Sequence, residues 1–445
     1  MNAALRAAYH VAGAVATGAA DAATLVPGNA KWLRALRARH GVIAHYTAFG
    51  AAGRDRSRPL LWMHAPSVGE GLQGKPVLEL VRRQHPEYQI AYTHFSPSAE
   101  PLAAGFREHG LVDFAAYLPW DTGSAARDVL AALLPAALVF VKLDVWPVLT
   151  ASAAAAGVRL GLVSGTLGAH SGRRSSWGAA LLHDAYARLD AAGAISPDDA
   201  ARLQALGVSA RALSVTGDTR YDQVWERAAL VRRDGPLLRK LGDAGRETIV
   251  AGSTWPPDED VVLDAWLAAR RSTPGTRLVL APHEPAPHRI AALERWAASH
   301  DIRAARLDGA ATGIGDVPDL VLVDRVGVLG DLYAIASIAY VGGAFHSAGL
   351  HSVLEPAAYR VPVVFGPQHG GQRDAELLLS AGAAATVRDA TACASVFRGW
   401  LTNPASRRAA GDHARAVVES GLGAAQRSAT LVERLMSPAL PPSNP

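Results

Sequence analysis

Leu60-Leu61-Trp62-Met63-His64-Ala65-Pro66-Ser67-Val68-Gly69-Glu70-Gly71 is an apolar run that halts at a proline and reopens on small residues and one carboxylate. An unbroken apolar run, without the alternation of a half-solvated strand, predicts a strand buried on both faces, as in a parallel sheet. The residues from Ser67 onward begin an amphipathic stretch, so strand, loop and helix follow one another. Moving outward, segments 90–95, 115–119, 137–143, 159–164, 191–196 and 213–217 repeat the apolar run, with helical patterns between most of them. Such alternation predicts a doubly wound α/β domain. A charged segment, 224–246, carries Gly235-Pro236 and no strand pattern, and reads as a linker or hinge. The alternation then restarts with strand segments 248–253, 277–281, 302–307, 320–324, 338–341, 362–365 and 384–387. Two Rossmann-like domains facing a central cleft are therefore expected, with ligands beyond the carboxyl ends of the strands.

Composition narrows the classes. A chain of 445 residues with 49% hydrophobic residues can bury sizeable cores and is not a disordered polymer. The single cysteine, Cys393, excludes a disulfide framework and a cysteine-based zinc site. A formal net charge of +4 is mild, and no nucleic-acid motif accompanies it, so no nucleic-acid partner is expected. Residues 7–20 lack Lys, Arg, Asp and Glu before Asp21 interrupts, too short a stretch for a confident spanning helix. The basic, amphipathic stretch Lys31-Trp32-Leu33-Arg34-Ala35-Leu36-Arg37-Ala38-Arg39 follows. Together they suggest a segment lying on an anionic membrane surface, the alternative being a helix packed on the protein body. The expected division is 1–40 for this segment, 41–225 and 226–437 for the two domains, and 438–445 for a frayed Pro-rich tail.

Several motifs could carry chemistry. Glu70 falls at a loop–helix junction, where a carboxylate can act as general base or simply complement the helix dipole. Ser67 does not read as a hydrolase nucleophile, because Ala65 stands where the nucleophile elbow has its first glycine. In Val139-Phe140-Val141-Lys142-Leu143-Asp144-Val145-Trp146-Pro147 a buried strand ends in charges. Lys142 could face an acidic substrate and Asp144 could orient Lys142 or Glu70, or the charges could form an internal pair. Arg220, in Gly217-Asp218-Thr219-Arg220-Tyr221-Asp222, presents a fork suited to carboxylate or phosphate, or to a surface ion pair. Ser253 and Thr254, small residues between a strand and a helix, could admit an anion or cap the helix. His283 and His288 are spaced one residue too far apart for a zincin pair and are separated by prolines, so a metal site is not expected. Gly342-Gly343 and the turn at Gly349 suit a phosphate, and Glu355 suits ribose hydroxyls. Without Gly-x-Gly-x-x-Gly, a dinucleotide oxidoreductase is disfavoured.

Taken in order, Ser67-Val68-Gly69-Glu70, Trp146-Pro147, 217–222, 251–254, Ala281-Pro282-His283, 324–333, Gly342-Gly343 and Leu354-Glu355-Pro356 resemble the Kdo transferases. These are glycosyltransferases of the two-Rossmann GT-B fold, and the likeness runs from about residue 31 to the last helices. The resemblance implies Glu70 as catalytic base, CMP-Kdo as donor and a lipid A precursor on the cytoplasmic face of the inner membrane as acceptor. It implies nucleotide contacts at Pro282, His283, Gly327, Ser352 and Glu355, beside Ser253, Thr254, Gly342 and Gly343. Ser67, Gly69, Lys142, Asp144 and Arg220 are the candidate acceptor and Kdo contacts, and no cofactor or metal is called for. This chain departs from the common family pattern at Pro282-His283-Glu284, at Lys142-Leu143-Asp144 and at His351-Ser352. The alternatives are another GT-B enzyme acting on a UDP-sugar, as transferase or epimerase, and a non-catalytic lipid- or nucleotide-binding scaffold.

Overall fold

The computed structural model describes residues 3–28, 30–168, 171–239, 241, 245–308, 318–347 and 349–437. The expected tail at 438–445 lies outside them. The chain divides into two compact units, one formed by residues up to Gln223 together with those from Leu422 onward, the other by Val224–Gly421.

The first unit is built on a seven-stranded sheet in the order β3-β2-β1-β4-β5-β6-β7. Its strands are β1 (Leu60–His64), β2 (Gln89–His94), β3 (Phe114–Tyr117), β4 (Ala137–Val141), β5 (Arg159–Gly165), β6 (Ala191–Ala194) and β7 (Leu213–Val215). The second unit carries β8 (Thr248–Thr254), β9 (Arg277–Pro282), β10 (Ala304–Arg306), β11 (Leu320–Leu322), β12 (Ile338–Val341), β13 (Val363–Phe365) and β14 (Ala384–Thr386). Their order is β10-β11-β9-β8-β12-β13-β14. Every described pairing is parallel. The apolar runs explain this: every residue of β1, β2 and β4 is buried, so both sheet faces are covered.

Strand order reverses between β1 and β4 in one sheet and between β8 and β12 in the other. In open α/β sheets ligands bind at such switch points, beyond the carboxyl ends of the strands. Glu70 and Lys142 follow β1 and β4, while Trp255 and Gly342 follow β8 and β12.

The charged segment after residue 223 holds no strand among the described residues; the helix Arg220–Leu230 carries the chain from one unit into the other. The end of the chain departs from the expected division, in which the second domain runs to 437. The C-terminal helix Ala424–Met436 belongs to the first unit, where Ala429, Val432 and Leu435 join the core with Val139 and Val163. Asp222 anchors it by accepting from the amides of Gly423 at 2.7 Å and Ala425 at 2.8 Å, satisfying helix-start donors. Gly161 makes room for it, since a Cβ there would stand 2.4 Å from Leu435 Cδ1. Nothing local in sequence announces this return, because hydrophobic periodicity gives a helix but not the sheet it covers.

The N-terminal helix Ala3–Ala23 is tied to the first unit by the Tyr9 hydroxyl, which donates to Asp121 at 2.8 Å. Ala20 and Ala23 are buried, while Val11 and Val15, one helical turn apart, are exposed with Leu25, Val26 and Trp32. The basic stretch is only partly a solvent patch. Arg37 donates to the carbonyls of Ala23 at 2.9 Å and Gly28 at 2.7 Å, the first of these at a helix end. Arg39 is buried with its guanidinium over the Phe95 ring at 3.6 Å and the Trp120 ring at 4.8 Å. Among the described residues, no helix is long and apolar enough to cross a membrane.

Candidate active site

The first unit gathers charged groups at its switch point. Ser67 is the N-cap of the helix Val68–Gln84, which places Glu70 in the first turn. The Ser67 hydroxyl donates to Glu70 Oε2, and Lys142 Nζ donates to Glu70 Oε1 at 3.0 Å. The Glu70 side chain is 16% exposed and that of Lys142 37%, so the pair opens to solvent on one side. Burial pushes the Glu70 carboxyl up, but the Ser67 hydroxyl and the Lys142 ammonium outweigh it and hold it below its ordinary value. Glu70 is therefore ionised at neutral pH. Lys142 follows β4 with a φ of 72°, a conformation unfavourable for a residue with a Cβ. Gly69 has open space beside it, with only Ser67 Oγ near a Cβ position, at 3.8 Å.

Two of the expected contacts are otherwise engaged. Asp144 does not orient Lys142 or Glu70; it pairs with Arg173, whose Nη2 lies 2.7 Å from its Oδ1. Burial raises the Asp144 carboxyl, and Arg173 opposes that rise. Arg220 grips Asp218 of its own loop at 2.6–3.2 Å through Nε and Nη2, the ion-pair alternative. Arg173 was not legible as a site residue, since its approach to Asp144 depends on the packing of distant segments.

The second unit gathers rings rather than charges. Trp255, the N-cap of the helix Pro256–Arg270, stacks on His346 at 4.2 Å with a 5° interplanar angle. It also stacks on His283 at 4.9 Å, and His283 stacks on His351 at 4.4 Å. The Trp255 indole N–H donates to His351 Nε2 at 3.2 Å. Asp258, fully buried, accepts from the amides of Trp255 and Gly343 at 2.9 Å each and from the Tyr340 hydroxyl at 3.0 Å. One carboxylate thus fixes the end of β8, the strand β12 and the Gly342-Gly343 loop. The sequence signal was present, because an acid at the third position of a helix is the capping-box position.

The double glycine is required by space. A Cβ on Gly342 would stand 2.4 Å from the Ser253 carbonyl oxygen, and one on Gly343, with φ +98°, 2.1 Å from that of Gly349. Three amides of the expected phosphate cradle already have acceptors. The Gly342 amide donates to Gly252, that of Gly343 to Asp258 and that of Gly349 to His346. Thr254 is likewise turned inward, its hydroxyl donating to buried Glu259 at 3.1 Å. Ser253, Pro282 and His283 come together with the glycine loop, as the His283 amide donates to the Thr254 carbonyl at 2.9 Å. Ser352 is exposed next to His351. Arg227 donates to the Gly327 carbonyl at 3.2 Å and pairs with Asp331 at 3.0 Å. Burial raises the Glu355 carboxyl; Arg227 works against that rise and Asp331 adds to it.

Two doubly wound, seven-stranded parallel sheets, each with polar groups at its switch point, define the GT-B class. A solved UDP-GlcNAc 2-epimerase from Neisseria meningitidis, bound to UDP-GlcNAc, shares that fold: TM-score 0.60 over 85% of this chain and 99% of that one, at 14% identity. Residues 35–223 match the family model described as 3-deoxy-D-manno-octulosonic-acid transferase. The chain is 32% identical over 398 residues to the 3-deoxy-D-manno-octulosonic acid transferase of Bordetella pertussis, across 86% of this chain and 90% of that protein. It is 29% identical over 364 residues to the transferase of the same name from Chlamydophila psittaci, across 79% of each. The chain belongs to the 3-deoxy-D-manno-octulosonic acid (Kdo) transferase family and is a glycosyltransferase.

Proposed function

We propose that the chain transfers Kdo from CMP-Kdo to a lipid A precursor in one inverting displacement. Glu70 accepts the proton of an acceptor sugar hydroxyl, the freed oxygen bonds to the anomeric carbon of Kdo, and the bond from that carbon to the CMP phosphate breaks. The observation that carries this reading is the ionised Glu70 held between Ser67 and Lys142 at a strand switch point in a Kdo transferase family member. To take the proton, Glu70 exchanges the Ser67 or Lys142 bond for the acceptor hydroxyl. Lys142 then remains beside it to meet the acidic groups of Kdo or of the lipid. The ring cluster of the second unit, with Ser253, Pro282, Ser352 and Glu355 around it, is the proposed CMP site. The scheme requires no metal or other cofactor.

The acceptor is a membrane lipid, and the exposed Val11, Val15, Leu25, Val26 and Trp32 suit a surface resting at the cytoplasmic face of the inner membrane. Arg37 and Arg39 are engaged internally, while Arg34 stays exposed to meet an anionic surface. Incubation with CMP-Kdo and a tetra-acylated lipid A precursor, followed by mass spectrometry of the lipid, tests the reading. A gain of one or more Kdo units is expected. An unchanged lipid from folded, CMP-binding protein would sink it. Tighter binding of UMP or UDP than of CMP would favour the UDP-sugar alternative.

A further inference from the structure

The ring cluster contains a bond whose polarity is not free to vary. Tryptophan Nε1 is a donor only, so the Trp255–His351 contact at 3.2 Å requires an unprotonated, accepting Nε2 on His351. A neutral imidazole with a bare Nε2 carries its proton on Nδ1. We propose that Trp255 is a positioning residue that locks His351 in the neutral Nδ1–H tautomer, making His351 a standing hydrogen-bond donor to an anionic oxygen of the bound nucleotide. The donor role rests on the CMP reading given above; the tautomer lock does not.

Three observations converge on it. Three amides of the glycine loop, those of Gly342, Gly343 and Gly349, already have acceptors inside the fold. The His351 ring is clamped in orientation by His283 stacked at 4.4 Å, and Trp255 is itself held by His346 at 4.2 Å and by Asp258 on its amide. No described group accepts from His351 Nδ1, whereas its main-chain amide is anchored to the Gly342 carbonyl at 3.1 Å. The surroundings also favour neutrality. Burial and then neighbouring His283 lower the His351 imidazole from its ordinary value, and Asp258 only partly opposes them. The facing titratable groups are His283 after β9, Asp258 on the helix Pro256–Arg270 and His346 after β12. A neutral donor at this place holds an anionic oxygen without adding a charge that must be neutralised when CMP departs.

The test uses the full-length protein with 15N-labelled histidine, His351 being assigned by the resonance lost in H351N. The expected spectrum shows protonated Nδ1 and bare Nε2, persisting below pH 6.5, the ordinary histidine value. In W255F, which keeps the stacked ring but removes the N–H, the two tautomers mix and His351 protonates at higher pH. CMP affinity measured by calorimetry separates the donor role from a merely structural one. H351N keeps an N–H donor at the δ position and stays within about threefold of wild type, whereas H351Q, whose amide reaches the ε position, and H351A each weaken binding roughly tenfold or more. A wild-type His351 protonated on Nε2, or a tautomer unmoved in W255F, overturns the lock. Equal CMP affinity in H351A and wild type overturns the donor role even if the lock is seen. Folded wild type that binds no CMP removes the CMP reading and the donor role with it, and leaves the lock to be decided by the spectra alone.

Discussion

The two units reach the same grammar by the same means and fill it differently. In each, a strand leads to a Trp-Pro pair in which the tryptophan is the N-cap and the proline the first helical residue. In each, that tryptophan donates to a histidine Nε2 at 3.2 Å: Trp146 to His64 and Trp255 to His351. His64 is fully buried, its other nitrogen meets Thr93 at 3.0 Å, and burial pushes it down to about 3. It is a strut joining β1 to β2 and to the Trp146 N-cap. His351 is half-buried and stacked on exposed His283. The same bond thus stiffens a core in one unit and prepares a ligand-facing donor in the other, and solvent access is what separates the two roles.

The largest effect that would break this contrast is at Glu70. In Glu70→Gln, turnover is expected to fall by roughly 10²- to 10⁴-fold while CMP affinity stays at the wild-type level. Near-normal turnover would remove the base from the first unit. Next is Asp258→Ala, which strands two amides and a hydroxyl that a buried carboxylate now satisfies, costing about 3 kcal/mol or more in urea melts. A variant melting like wild type would mean that the ring cluster does not depend on this carboxylate.

The two tryptophans come third. Trp146→Phe leaves His64 with an unpaired buried nitrogen and should cost about 1–3 kcal/mol, whereas Trp255→Phe, beside solvent, should cost less than about 1 kcal/mol. Equal losses would erase the distinction. His64 adds a pH signature. Its folded value is depressed, so the unfolded chain takes up the proton first, and its contribution is intact above pH 6.5 and lost as pH falls toward about 3. His64→Gln should flatten the decline of stability with pH in that window. Smallest is Lys142→Met. Glu70 works as a base above its folded value and stops as pH falls through it, so losing the ammonium lifts that value and moves the acid limb of kcat/KM to higher pH. A limb that stays in place would assign the low value to Ser67 alone.

Much of this was readable from one-dimensional pattern. Every expected strand segment, from 60–65 to 384–387, has a counterpart in the structure, because apolar runs between small-residue loops have few other ways to be buried. Glu70 was readable as a first-turn carboxylate, since its place follows from the strand before it and the helix after it. What failed were pairings across distance. Asp144 was offered to Lys142 or Glu70 and pairs with Arg173 instead. Arg37 and Arg39 read as a basic patch and turn inward to carbonyls and rings. Long flexible cations find whichever partner the fold brings within reach, and pattern alone does not rank the candidates.

The sequence by itself determined the parallel α/β units, the order of their strands along the chain and the loops that follow them. Those follow from local burial and turn chemistry, which neighbouring residues settle among themselves. Only the tertiary structure decided that the last helix returns to the first unit over Gly161, that Asp258 ties three elements together, and that two identical Trp–His bonds sit in such different surroundings. Each of these depends on side chains far apart in the chain meeting at a few ångströms, and on how much water is left between them.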